Sequence, residues 1–163
     1  MKASATIDID RPRDDVFAYV ADVEQMEHWV VGVGETALVE GDGTGVGDRY
    51  ETTYSYGGRD TEMAFVVTEY DPPTRFGITA PEGPFAFDGL LELEDVGDAT
   101  RVTNTIDAGS DGTFTTVMFT VFRPVVRWLM ARRLKQELVE LKAQVEGDAG
   151  ATDESKRPHA PDA

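Results

Sequence analysis

Few residues in this chain can do acid–base or nucleophilic chemistry. There is no cysteine, and the only histidines are His28 and His159. That excludes disulfides, thiolate ligands and cysteine nucleophiles, and argues against a multi-histidine metal site. No serine–histidine–aspartate order and no paired-carboxylate motif stands out. No metal or cofactor is expected. What remains is His28 beside Trp29, the tyrosines Tyr50 and Tyr54, Asn104 and Arg127. A lone imidazole next to an indole could serve as a general acid or base; a partly exposed residue at a helix end is the commoner explanation. Tyr50, Thr52 and Tyr54 share one face of an alternating run, and a buried phenol needs a hydrogen-bond partner. Tyr56, beside a turn, is expected to be exposed. Asn104 sits between Val102 and Ile106 on an apolar parity, where an amide must be paired by protein, water or ligand. Arg127 and Arg123 continue an apolar helical stripe backward. An arginine there could hold a carboxylate or phosphate, or could snorkel outward.

The elements that would position these groups follow from the spacing. Ala5, Ile7 and Ile9 alternate like a half-buried strand. Pro12, Asp14 and Asp15 suit a helix start, and Val16, Phe17 and Val20 give it one apolar face. Asp22 restarts a second short helix ending near His28-Trp29. A strand over Glu35–Glu40 leads into Gly41, Gly43, Gly45 and Gly47. Asp42 and Asp48 flank this loop and it lacks a Gly-Lys-Ser/Thr ending, so it reads as a turn and not as a phosphate cradle. Strands are predicted over Arg49–Tyr56, Thr61–Tyr70, Phe76–Ala80, Phe85–Glu94 and Thr100–Ala108. Turns at Gly57-Gly58, Asp71-Pro72-Pro73, Pro81–Pro84 and Gly97-Asp98 join them. Apolar residues fall on both parities of Thr61–Tyr70, so its inward face is open. Thr113–Glu146 has helical spacing, with Met130, Leu134, Leu138, Leu141 and Val145 on one stripe. Pro124 should kink or restart this helix, and Gly147 suits its end. The remainder to Ala163 is rich in Asp, Pro, Ser and Gly and is expected to be a disordered acidic tail.

At 163 residues the chain is one domain with a tail, divided here as 1–146 and 147–163. Its 31 acidic and 15 basic residues give a net charge of −16. That field disfavours nucleic acid. With 11 Arg and only 4 Lys, the composition is that of a protein adapted to molar salt, where the screening length falls to about 3 Å. No apolar run suggests a signal peptide or a bilayer span, and a cytoplasmic location is expected. Arg123, Arg127, Arg132, Arg133 and Lys135 form a basic block with no acid between them. They are expected to pair with the acidic surface; weak contact with an anionic membrane is the alternative.

An antiparallel meander has an apolar face that needs a cover, and only the terminal helix is long enough. A curved sheet and a straight rod do not match along their whole length, so a ligand cavity is expected between them. Strand and helix parity assign its lining to Tyr50, Thr52, Tyr54, Phe76, Ile78, Phe87, Leu91 and Asn104, with Phe119, Phe122, Val126 and Arg127 from the helix and Phe17 and Trp29 at the mouth. Ordinary core packing is the competing explanation for each apolar member.

The opening Ile9-Asp10-Arg11-Pro12-Arg13-Asp14-Asp15-Val16-Phe17, with Asp22 and Trp29, resembles the start of the START-related SRPBCC proteins, the polyketide cyclase/dehydrase and lipid-transport group. Val46–Tyr50, Glu69–Pro73, Thr100–Thr103 and Arg132–Leu134 with Leu141-Lys142 fit its later landmarks. The resemblance covers residues 3–146. It implies an α+β helix-grip fold: a curved antiparallel sheet of six to seven strands around a long C-terminal helix, with two short helices after the first strand. It also implies a hydrophobic cavity, but no single chemistry. Binding or transport of a small hydrophobic or amphipathic ligand (lipid, isoprenoid or quinone-like) is the favoured function. A polyketide cyclase/dehydratase-like enzyme and a membrane-surface or partner-docking module are the alternatives.

Overall fold

The computed structural model describes residues 2–81, 86–108 and 121–155, with side chains as far as 147. Alternating segments become seven strands: β1 (Lys2–Ile9), β2 (Val33–Glu40), β3 (Arg49–Tyr56), β4 (Arg59–Asp71), β5 (Arg75–Ala80), β6 (Phe87–Val96) and β7 (Ala99–Ala108). They form one antiparallel sheet in the order β1-β7-β6-β5-β4-β3-β2. The two-residue turns behave as their glycines require. Gly57 and Gly58 take φ of 59° and 76°, the left-handed region a primed hairpin turn needs.

The chain leaves β1 on one edge and reaches β2 on the other through α1 (Arg13–Val20) and a 3₁₀ helix (Val23–His28). Both follow the sequence signals. Pro12 caps α1, and the Asp22 carboxylate accepts the Glu24 N–H at 3.2 Å. Val16, Phe17, Val20, Val23 and Met26 are buried beneath them.

The inward parity of β4 falls to Met63, Phe65 and Val67, all buried. Opposite them across the sheet stand Thr52, Tyr50 and Ile78, respectively. Over this face lies α2 (Arg123–Ser155). Pro124 stands in its first turn, so the proline restarts the helix, as expected. The helix does not stop at Gly147 but continues to Ser155. A glycine costs a formed helix only about 1 kcal/mol, so Gly147 alone does not end it. Most of the Pro81–Pro84 turn, Phe85, the start of the predicted helix at Thr113 and the last eight tail residues lie outside the described residues.

Helix α2 is held to β1 by polar contacts to backbone. Lys135 Nζ donates to the Thr6 carbonyl, and Lys142 Nζ donates to that of Asp8 at 2.8 Å. The Glu146 carboxylate accepts the Asp10 N–H at 2.9 Å. Between these ties Leu134, Leu138, Leu141 and Val145 are buried. At roughly 25 cal/mol per Å² of apolar surface, such burial is what holds the helix down; exposed hydrogen bonds add less.

Candidate functional site

The inner face of the sheet is apolar with a few polar interruptions. Tyr50, Tyr54, Phe76, Ile78 and Leu91 are buried on it, Phe87 is half-buried, and Phe17 and Trp29 are buried beside it. These side chains pack edge to face: Phe65 on Phe87 at 6.2 Å, Tyr70 on Phe76 at 6.2 Å, and Phe17 on Tyr70 at 5.6 Å. Tyr56 is exposed, as its position beside the turn predicts.

Of the polar interruptions, Thr52 is spent on structure. Its hydroxyl donates to the carbonyls of Gly34 and Glu35, each at 3.1 Å, where β2 slips register against β3. Burial, and then Asp48, pushes the Tyr50 phenol above its ordinary pKa. Asn104 is different. It is 6 % exposed, paired across strands with Leu91 and Ala5 and flanked along β7 by Val102 and Ile106. Its amide makes no hydrogen bond with a described residue, yet is not sealed from water-sized space. Trp29 Nε1, by contrast, is sealed and has no acceptor among the described residues.

One cluster lies outside the expected set. Glu137 is 5 % exposed on the inner arc of α2. It accepts the Val31 N–H at 3.1 Å and the Arg133 Nε–H at 3.3 Å. Arg133 Nη2 donates to the Val31 carbonyl and to the Tyr54 hydroxyl, each at 2.7 Å. Burial pushes the Glu137 carboxyl upward, against the pull of the Arg133 guanidinium. The cluster ties α2 to β3 and to the loop before β2, opposite the ties to β1. Glu137 lies three residues after Leu134 and four before Leu141, on the buried arc, and that spacing was the signal for it.

Other expected members are placed elsewhere. Phe122 is 54 % exposed and Arg127 is exposed, while Val126 is half-buried. Arg127 does stand on the line of Leu134, Leu138 and Leu141. However, β1 runs only eight residues, about 26 Å, against roughly 50 Å of helix, so the first turns have no sheet beneath them. Phe119 lies outside the described residues. The His28 side chain is 52 % exposed, with Nε2 3.8 Å from a Glu27 oxygen, on the surface and away from the inner face.

The glycine loop is built as a turn. The buried Asp48 carboxylate accepts the N–H groups of Asp42 at 3.2 Å and Gly45 at 2.9 Å. A Cβ at Gly41 would stand 1.9 Å from its Oδ1, so no other residue fits there. No group of three carboxylates or histidines suited to a metal occurs among the described residues. No described helix is long and apolar enough to cross a membrane. A surface cleft of about 450 Å³ lies between the start of α1 and the β6–β7 turn; its Arg13–Asp95 pair, 3.4 Å apart, matches its mixed charge and leaves it no evident ligand.

A seven-stranded antiparallel sheet closed by a long C-terminal helix and crossed by two short ones is a helix-grip domain, the α+β class expected. Residues 1–146 match the family model described as polyketide cyclase / dehydrase and lipid transport, and the chain belongs to that family. Among solved structures it is similar to a protein of Thermus thermophilus, with 21% identity over 91% of this chain and 99% of that one and a TM-score of 0.73. A START superfamily protein from Mycobacterium smegmatis shares 17% identity over 90% and 97% of the two chains, with a TM-score of 0.69. The Zhui aromatase/cyclase of a Streptomyces species shares 14% identity over 90% and 93%, with a TM-score of 0.66. Comparison with curated protein sequences finds no match.

Proposed function

We propose that this protein binds and carries a small hydrophobic or amphipathic molecule, lipid, isoprenoid or quinone-like, on the inner face of its sheet. In this reading Phe76, Ile78, Phe87 and Leu91 cover the apolar part of the guest, Phe17 and Trp29 lie towards the mouth, and Asn104 meets one carbonyl or hydroxyl. Asn104 is the observation that carries it. An amide with no hydrogen-bond partner among the described residues, amid Leu91, Ala5, Val102 and Ile106, costs stability unless something else pairs with it. The lipid-transport description of the family supports the same reading.

Organic extraction of the purified protein followed by mass spectrometry should release a stoichiometric apolar compound. Asn104→Leu should weaken its retention about tenfold, the worth of one hydrogen bond to a buried polar group. The same substitution should leave the ligand-free protein as stable or more stable, since it removes an unpaired amide. A ligand-free protein clearly destabilised by Asn104→Leu would make the amide structural. With no extractable compound besides, the proposal fails.

A cyclase/dehydratase-like activity is the second reading, favoured by the burial of Tyr50 and Tyr54 on the inner face. With His28 at the surface, these phenols would supply the protons. The raised pKa keeps the Tyr50 phenol protonated at neutral pH, which bars it from acting as a base and makes it a weaker acid than a free phenol. Loss of turnover in Tyr50→Phe with ligand retention intact would separate the two readings.

A further inference from the structure

The first turns of α2 are inverted relative to the rest of the helix. Leu134, Leu138, Leu141 and Val145 form the buried line. Val121, just before the helix, leads to Val125, Trp128 and Val139, which lie with Arg132 on a line about 150° away around the axis at 3.6 residues per turn. Their exposures are 66 %, 56 %, 58 % and 52 %, with Phe122 and Leu129 beside them at 54 % and 52 %. The strip is about 27 Å long at 1.5 Å per residue. It exceeds the scattered single apolar residues that any surface carries.

Its charge is inverted as well. Residues 121–135 hold five of the chain's 15 bases and no acid, in a protein of net charge −16. Arg123, Arg127 and Arg132 form no ion pair with a described residue. Arg132 lies over the Trp128 ring at 5.5 Å. Acids outnumber bases two to one in this chain, yet among the described residues none is set against these three.

We propose that this strip is a docking surface for the interface of an anionic lipid bilayer, with Trp128 and its aliphatic neighbours at the acyl boundary and Arg132 reaching the headgroups. The long Arg132 stem allows that reach from the strip itself, while Arg123 and Arg127 stand on the opposite line of the helix. Trp is suited to the boundary layer, being apolar along its body and polar at its tip. A second copy of this chain fits the strip poorly, because two such helices would set bases against bases. A folded partner would call for a rim of matched donors and acceptors, whereas around Trp128 this rim offers the Arg132 cation and no acid. The acids elsewhere do not forbid contact, since at physiological salt charge is felt over only about 8 Å. The first exposed acid along the helix is Glu140. This proposal goes beyond the ligand reading and stands without it.

The full chain should float with vesicles of equal phosphatidylcholine and phosphatidylglycerol at about 0.1 M KCl, where screening is still moderate, and not with phosphatidylcholine alone. Trp29→Phe leaves Trp128 as the only indole, and its emission should shift to the blue on adding the anionic vesicles. Arg132→Gln should weaken partition about fivefold, the worth of one base at the surface, and Arg123→Gln with Arg127→Gln, on the far line, should weaken it less. Wild-type flotation gives the answer without any variant. Equal binding to both vesicle types, no binding by folded protein, or self-association through the strip that Trp128→Ala abolishes would each overturn the proposal. Vesicle binding is read on extracted and unextracted protein alike, so its failure is distinguishable from an empty ligand site.

Discussion

The two halves of α2 share a helical spacing and differ in burial and in charge. Residues 134–145 and 121–133 both mix branched aliphatics with bases at helical spacing. In the first, Leu134, Leu138, Leu141 and Val145 are sealed against the sheet; in the second, Val121, Val125, Trp128 and Leu129 stand in water. Periodicity determines which residues share a line, but the partner surface determines which line is buried. The helix overreaches β1, and on its inner line there Arg123 and Arg127 are exposed while Met130 is half-buried.

The largest expected contrast is between two leucines. Leu138 is fully buried and Leu129 is 52 % exposed. Leu138→Ala should cost about 3 kcal/mol or more from lost transfer and the cavity left behind. Leu129→Ala should stay within about 0.5 kcal/mol. Urea unfolding of both variants measures the pair. Similar losses would mean that the projecting half is also packed in solution.

Next comes the contrast between Arg133 and Arg132, neighbours in sequence with different partners. Glu137→Ala strips the Arg133 guanidinium and the Val31 N–H of their acceptor and should cost about 3 kcal/mol. Glu137→Gln keeps an acceptor and should cost far less. Arg132→Gln, which touches only Trp128, should leave the unfolding midpoint unchanged within error. Equal losses in Glu137→Gln and Glu137→Ala would show that charge, and not hydrogen bonding, holds the cluster.

These contrasts also mark how far the sequence can be read. The strands are legible because alternation such as Tyr50-Glu51-Thr52-Thr53-Tyr54 leaves one possible inward set, and Gly57-Gly58 fixes the register. Thr61–Tyr70 is ambiguous, because Ala64 is buried along with Met63, Phe65 and Val67. Asn104 stands out as an amide on an apolar parity. Glu137 is hidden among acids, because its cluster draws on the loop before β2 and on β3, and Tyr54 and Val31 lie far from it in sequence. Pairing of the basic block with acids does not follow through. Among the described residues only Arg133 pairs with one, and Lys135 goes to a carbonyl. Arg127 shows the limit most plainly: its phase is inward, but helical phase carries no information about where the sheet ends.

The net charge acts on both halves at once. Self-repulsion among 31 acids should relax as salt rises. The melting temperature should climb by at least about 3 °C between roughly 0.1 and 2 M KCl, on the order of 1 kcal/mol. A flat or falling curve would remove the reading of the composition as salt-adapted.

The smallest effect separates two carboxylates on the docked half. Glu146 takes hydrogen bonds from Lys142 at 2.7 Å and from the Asp10 N–H, and these hold its carboxyl below the ordinary value of 4.5. Its contribution is present above that value and is lost as pH falls through the lowered folded pKa. Glu137 is pushed the other way by burial. Its folded state favours the proton, so that contribution is present below the ordinary value of 4.5 and is lost as pH rises through the raised folded pKa. Glu146→Gln should therefore be less stable than the parent near neutral pH, by under about 1 kcal/mol, and the gap should close on acidification. Relative to the parent, Glu137→Gln should gain stability as pH rises from about 4 to about 7.5, because the amide carries no ionisation cost at neutral pH. Urea midpoints of both variants across that range check the opposed slopes. Parallel slopes would mean that the Arg133 pairing, and not burial, governs the Glu137 proton.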